Sequence, residues 1–368
     1  MRILFVTPWY PTAAAPTAGI FVERDAQLVS TRHDVEIAHL VEPGLLTDAD
    51  VVADHSREIR VHRIPMSRSD PFAPRRLWKA LKPLVARADL VHSHAFQALL
   101  PFAWRRVGRP WVHSEHWSGV ANPGAFNAQG RLIFALTSRL LRRPDMVTAV
   151  STFLLDRVAD HRSGPTMIVP SVVLPATPKP VEHTPGELRL VTVANLVDGK
   201  DPILAVDTIR ELRRRGVGAT LRWAGGGPLR AAVESYLDGD DSIRLLGALD
   251  RSGVSAELDA SEIFFLPTKS ETLCLSAIEA ISHGRPVVIG SHGGQRDYIV
   301  PENGVLVKDR TPAAYADAVL QIRDSFGQLD PLTVARTVSG RFTPERVLDL
   351  YESAYSAATA RYEKENSR

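Results

Sequence analysis

One cysteine, Cys274, stands among 368 residues. That excludes an internal disulfide framework and a cluster of thiolate metal ligands, and it fits a reducing compartment. No apolar run reaches the ~18 residues of a membrane span. The apolar run of MRILFVTPWYP stops at Pro8, too short for the core of a signal peptide. A cytoplasmic protein is therefore expected. Blocks of one charge are missing as well: 44 Lys and Arg face 42 Asp and Glu, for a net charge of +2. The densest basic stretches, RRLWK (75–79) and LRRR (212–215), read as solvated helix faces, so no nucleic-acid partner is expected. The dinucleotide fingerprint Gly-x-Gly-x-x-Gly is also absent. AGGGPLR (224–230) would need a third glycine where Arg230 stands, which disfavours a nicotinamide cofactor. Internal repeats and low-complexity tracts are lacking too.

What is present is alternation. Short β-branched or apolar runs are expected as strands at 2–7, 35–40, 59–64, 90–94, 111–114, 146–150 and 167–169. A second series falls at 188–194, 220–224, 243–246, 263–266, 286–290 and 305–308. Helical patterns separate most of them, so the fold class is α/β, with two Rossmann-like domains of parallel sheet. The stretch 170–187 carries prolines at 170, 175, 178, 180 and 185 and reads as the linker. Expected domains are 1–172, with the C-terminal helix 343–368 packing back onto it, and 173–342. Thr343 and Pro344 suit the start of that last helix. Val347, Leu350, Tyr351, Ala354 and Tyr355 form its apolar stripe.

Parallel α/β sheets bind ligands beyond the carboxyl ends of their strands. After the first strand, Gly19 opens a helix near Ile20, where exposed amides favour an anion; taken alone it reads more readily as a turn residue. His92 and His94 in DLVHSH share one strand face, but no third ligand at a metal-binding spacing is evident. In PWVHSEHWSG, His113, Glu115, His116 and Trp117 fall where a strand ends, and a histidine there suits hydrogen bonding as well as plain structure. Lys200, in the first strand-to-helix loop of the second half, places a cation that suits a phosphate. The glycines around Gly226 make a close-approach loop, with Pro228 at the start of the next helix. In SETLCLSAIEA (270–280), Glu271 and Glu279 stand eight residues apart, about 12 Å of helical rise. The amides of Cys274, Leu275 and Ser276 lie between them, placed for a diphosphate. Carboxylates are strong acceptors for vicinal hydroxyls. The alternative is an acidic first turn with a solvated Glu279. A further glycine loop, SHGG (291–294), follows.

This run, continuing as E-A-x-x-x-G-x-P-V-V into a Gly-Gly loop, resembles the family 4 retaining glycosyltransferases of the GT-B fold. AGIFVERDAQLV, DLVHSH, VSTFLLDRV, VPSVV, AGGGPLR, IRLLGALD, ENGVLV and the tail helix stand in that family's order over nearly the whole chain. The resemblance implies two Rossmann-like domains facing an interdomain cleft. It implies a nucleoside-diphosphate-sugar donor, UDP- or GDP-linked, held mostly by the second domain. Glu279 matches the residue on the ribose and Glu271 the one on the donor sugar. Lys200 and Gly19 match positions near the phosphates, and His116 matches a histidine beside the reacting sugar. The family retains anomeric configuration, works without a metal and needs no cofactor. Asn195 stands where the family usually has an arginine, Asp297 where it has a glutamate, and no DxD motif appears at a strand end. The implied acceptor is a hydroxyl on a glycan, a lipid-linked sugar or a small molecule, met by a loop at 116–130. A weak contact of 74–87 with the inner membrane face is also kept open, although Pro83 is expected to interrupt that helix. Rival readings are a sugar-nucleotide epimerase on the same plan and a non-catalytic nucleotide-sugar binding protein.

Overall fold

The computed structural model describes the chain except residues 17, 48–49, 51–57, 68–69, 71, 182, 185, 327–328 and 368. Pro185 of the proline-rich segment therefore lies outside the described residues. The chain divides into two compact units, Met1–Val172 with Pro344–Arg368, and Val173–Thr343.

The N-terminal unit is built on seven parallel strands: β1 (Arg2–Thr7), β2 (Asp34–Val41), β3 (Arg60–Pro65), β4 (Leu90–His94), β5 (Trp111–Glu115), β6 (Met146–Ala149) and β7 (Thr166–Ile168). Their order is β3-β2-β1-β4-β5-β6-β7. The order reverses between β1 and β4, which pair from Ile3↔Leu90 to Val6↔Ser93. Helices cover both faces, so the central strands are buried throughout, as in β4 and β5.

The second unit holds six parallel strands: β8 (Glu187–Val193), β9 (Gly218–Ala224), β10 (Ile243–Gly247), β11 (Ile263–Leu266), β12 (Val287–Gly290) and β13 (Gly304–Val307). Their order is β10-β9-β8-β11-β12-β13, reversing between β8 and β11. Both units are thus Rossmann-like, and each places one crevice at its reversal point.

Three local expectations need correction. The C-terminal helix Pro344–Asn366 buries Val347, Leu348, Tyr351, Ala354, Tyr355 and Ala358, while Leu350 is half-exposed. At 100° per residue Leu348 falls nearer the centre of this stripe than Leu350. The helix Ala73–Arg87 runs unbroken through Pro83. Pro83 is on the exposed side, so the carbonyl it leaves unserved faces water. The helix after β9 begins at Arg230 rather than at Pro228. Residues 227–229 are drawn into a turn instead, with the Leu229 amide donating to the Leu196 carbonyl at 3.1 Å.

Candidate active site

In the second unit, the loops leaving β8 and β11 meet at the reversal of strand order. Lys200, from the β8 loop, donates to Glu271 from the β11 loop in a short contact, and Glu271 is 8% exposed. The loops are stitched by backbone as well: the Lys269 amide donates to the Gly199 carbonyl at 2.8 Å, and Thr268 Oγ1 to the same oxygen at 3.0 Å. Burial disfavours the Lys200 ammonium, but the Glu271 carboxylate beside it more than offsets this and holds its pKa above the ordinary lysine value. Lys200 is therefore charged at neutral pH.

Glu271 is fixed from behind by the loop after β12. Its amide donates to the His292 carbonyl at 3.2 Å, and its carbonyl accepts from the Gly294 amide at 3.0 Å. A side chain at Gly293 (φ 133°) would meet the Glu271 carbonyl at 2.1 Å, so only glycine permits this approach.

The helix Leu275–Ser282 starts immediately after, with Cys274 at its N-cap in the left-handed region (φ 68°, ψ 73°). The Cys274 thiol is buried and pushed up to about 12, by burial first and by Glu271 second, so it carries no thiolate chemistry. The amides of Leu275 and Ser276 precede the first intrahelical bonds, which begin with Ala277 and Ile278 donating to the Cys274 carbonyl at 3.2 and 3.4 Å, and a helix start of this kind favours an anion. Tyr298 anchors this start: its hydroxyl donates to the carbonyls of Leu273 and Cys274 at 2.8 and 3.0 Å. Glu279 sits half-buried in the second turn.

The triple glycine sorts into two roles. A Cβ at Gly225 would meet the Ala194 carbonyl at 1.9 Å and one at Gly227 the Leu196 carbonyl at 2.4 Å. At Gly226 a Cβ would meet nothing within 4 Å, so that position faces open space. Asn195, between the two contacts, is exposed at the end of β8.

In the N-terminal unit the corresponding strand ends carry histidines. His116 follows β5 directly and is 9% exposed. Its Nε2 lies 3.4 Å from His94 Nδ1, with the two rings stacked, and Phe21 packs at 4.9 Å. Glu115 orients this turn by accepting from the amides of His116 and Trp117 at 2.9 and 2.8 Å. Burial, then the nearby His113, pushes His116 down to about 3, so its imidazole is neutral at physiological pH. His113 is held inside the strand by Ser93 at 2.9 Å and Glu115 at 3.3 Å. Ala95, after β4, has a positive φ of 66°, a strained conformation at a strand end of the kind that clusters at functional sites.

Gly19 is explained by packing. It caps the helix Ile20–Ser30 in the left-handed region, and a Cβ there would meet the Trp9 carbonyl carbon at 2.3 Å. The metal question also changes. His92 is taken up by Tyr355 at 2.9 Å and Ser114 at 2.7 Å. His94 is instead grouped with Asp25 and His116, one ligand atom of each lying within 4.8 Å of the others. Asp25 accepts from Tyr351 at 2.9 Å, and burial raises its carboxyl to about 7. The sequence shows no third ligand at a metal-binding spacing, and the fold supplies a carboxylate beside His94 from elsewhere in the chain. Asp25 comes from a helix 69 positions away in sequence (94 − 25), so spacing could not reveal it. Tyr298 and Gln295 were also missed. Gln295 is fully buried, with Nε2 donating to the His292 carbonyl at 3.0 Å. The only signal was their place just after the Gly-Gly loop.

The depressed histidines set a pH dependence. The unfolded chain protonates His116 below ~6.5, while the folded form stays neutral down to about 3. Stability is therefore full above the unfolded pKa and lost as pH falls through it. By about pH 4.5 the loss from this residue alone is ~3 kcal/mol. Thermal melts should show a smaller drop between about pH 7 and about pH 4.5 for His116→Gln than for the unmodified protein. Equal drops would show that His116 is not held neutral.

The chain matches two families of known proteins. Residues 21–175 match the family described as Glycosyltransferase Family 4, and residues 187–325 match Glycosyl transferases group 1. A GDP-mannose-dependent alpha-(1-6)-phosphatidylinositol dimannoside mannosyltransferase of Mycobacterium tuberculosis is 32% identical over 140 residues, 38% of this chain and 36% of that protein. A D-inositol 3-phosphate glycosyltransferase of Corynebacterium efficiens is 28% identical over 315 residues, 73% of this chain and 72% of that protein. The chain spans 36–46% of the length of the first curated relatives it matches. Among solved structures, Anabaena Alr3699/HepE in complex with UDP-glucose aligns with a TM-score of 0.74 at 15% identity, covering 97% of this chain and 100% of that one. The apo form of the lipopolysaccharide outer core galactosyltransferase WaaB gives 0.73 at 16% identity, covering 97% and 99%. These structures establish the shared GT-B fold.

Proposed function

Starting from a chain that belongs to glycosyltransferase family 4, with a family 4 domain followed by a group 1 domain, we propose that it moves a sugar from a nucleoside diphosphate to an acceptor hydroxyl, with retention and without a metal. The observation that carries this reading is the Lys200–Glu271 pair at the β8/β11 reversal, beside the N-terminal amides of the helix Leu275–Ser282. A diphosphate is matched there by one fixed cation and a fan of amides. Glu271 takes the hydroxyls of the transferred sugar and Glu279 those of the ribose. Gly226, which faces open space, and Asn195 border the donor. His116 holds the sugar by a neutral hydrogen bond. UDP and GDP donors both suit this reading, as does a cytoplasmic setting.

In the proposed step the anomeric C–O bond to the diphosphate breaks and its electron pair leaves with the phosphate. The acceptor oxygen bonds to the anomeric carbon on the same face, and its proton passes to the departing phosphate oxygen. Two features support this over the rivals. A double displacement needs a free carboxylate nucleophile, whereas Glu271 is engaged by Lys200. A general base is ill served by His116, whose burial leaves it a weak one. The Asp25, His94 and His116 group is the specific observation favouring a second, metal-assisted reading.

The test is incubation with labelled UDP- and GDP-sugars and a mixed acceptor pool, with and without EDTA, following free nucleotide and the configuration of the product. Transfer with retention, unaffected by EDTA, is expected. An altered sugar with no transfer would show an epimerase. Turnover lost in EDTA and restored by zinc or manganese would move the mechanism to the metal-assisted reading.

A further inference from the structure

The most exposed bulky apolar side chains of the described residues are not scattered. Trp104 (76%), Phe72 (68%), Leu132 (62%), Leu136 (62%) and Ile133 (52%) all belong to three segments of the N-terminal unit. The first is the helix Ala73–Arg87, whose buried side is Leu77, Leu81, Leu84 and Val85. At 100° per residue its outer side aligns Phe72 with Arg75, Lys79 and Lys82. The second is the loop 103–106, where Trp104 stands beside Arg105 and Arg106. The third is the helix Ala128–Thr137, in which Phe134 is the buried residue and Leu132, Ile133 and Leu136 face water.

The three are joined. Trp78 packs against Phe102 at 6.0 Å. Arg75, Arg76, Lys79, Lys82 and Arg105 line one shallow depression with Trp78. Arg143 donates to the carbonyls of Ala103 and Arg105, both at 2.6 Å. That ties the Trp104 loop to the turn Ser138–Arg142, which continues the helix carrying Leu132 and Leu136. Arg76 pairs with Asp70. Among the described residues, no carboxylate pairs with Arg75, Lys79, Lys82 or Arg105.

We propose that this face docks peripherally on an anionic lipid bilayer. The basic ridge meets the headgroup charge, and Trp104, Phe72 and the leucines enter the boundary between headgroups and acyl chains. No helix among the described residues is long and apolar enough to cross a membrane, so the contact is one of surface. Charge chooses this partner over two others. A second copy meeting the same patch across a two-fold axis would set cationic ridge against cationic ridge. A nucleic acid would satisfy the cations and leave five bulky apolar side chains in water.

The inference does not depend on the transferase reading, because its test contains neither donor nor acceptor. The full chain is sedimented with vesicles of phosphatidylcholine alone and with vesicles holding about 30 mol% phosphatidylglycerol. Binding to the anionic vesicles is expected to be at least ~10-fold tighter, and weaker at high salt. Trp104→Ser with Leu132→Ser, and separately Lys79→Glu with Lys82→Glu, should each reduce it ~10-fold or more. All four side chains are exposed, so the variants are expected to keep the melting profile of the unmodified protein. Equal binding to both vesicle types, no binding, or concentration-dependent dimers abolished by the same variants would overturn the proposal.

Discussion

Replacing His116 by alanine is expected to lower transfer turnover by ~100-fold or more. The residue is placed by three features at once: the amide contacts of Glu115, the stacked His94 ring and the Phe21 ring. None of these needs a charge on the imidazole, and burial keeps it neutral. On the proposed reading, its contribution is a fixed neutral hydrogen bond to the sugar or its phosphate. Two readouts separate this from general-base catalysis. The turnover of the unmodified protein should show no limb between about pH 5 and about pH 8 attributable to a histidine. His116→Gln, which keeps a hydrogen-bonding group in a similar volume, should recover part of the lost rate, whereas a base would be lost entirely. Near-normal turnover for His116→Ala would remove the residue from the reaction.

Lys200→Ala is expected to cost ~10²–10³ in kcat/KM, the magnitude typical of losing one preorganised group on developing negative charge. Asn195 stands at the end of β8, Arg310 is occupied by Asp201 and the carbonyls of Pro267 and Thr268, and Lys269 is paired with Asp198, which leaves Lys200, among the described residues of these two loops, as the cation set against Glu271. The substitution also strands Glu271, which is 8% exposed, without its partner, so part of the effect could come from stability. The double variant Lys200→Ala with Glu271→Gln resolves this. Removing both charges should restore the melting temperature toward the unmodified value and leave turnover low. Recovery of turnover together with the melting temperature would show that Lys200 serves only the fold.

The sheets were legible because their signal is local. IFFL at β11 and LVHSH at β4 are short runs bounded by polar or turn residues, and each became a buried parallel strand. Pro83 misled because a proline penalises a helix by rule, while its position on a solvated side removes most of the penalty. The eight-residue offset of Glu271 and Glu279 was readable. The left-handed turn at Cys274 that starts the helix was not, because a buried cysteine carries no sequence signature for a positive φ. Tyr298 was invisible for a different reason: it acts through its hydroxyl on backbone carbonyls 24 and 25 residues away.

The sequence by itself determined the alternation of strands and helices, the division into two parallel-sheet halves and the short list of polar residues at strand ends. Those follow from hydrophobic period, proline placement and glycine, which act over a few residues. Tertiary structure alone decided which of them meet. Lys200 and Glu271 are 71 residues apart, and Asp25 and Tyr351 are 326 apart. Such pairs form because the β8/β11 reversal brings two loops to one edge, and because the C-terminal helix returns to the N-terminal unit. The same packing moved the titrations, since burial pushes His116 down to about 3 and the Cys274 thiol up to about 12.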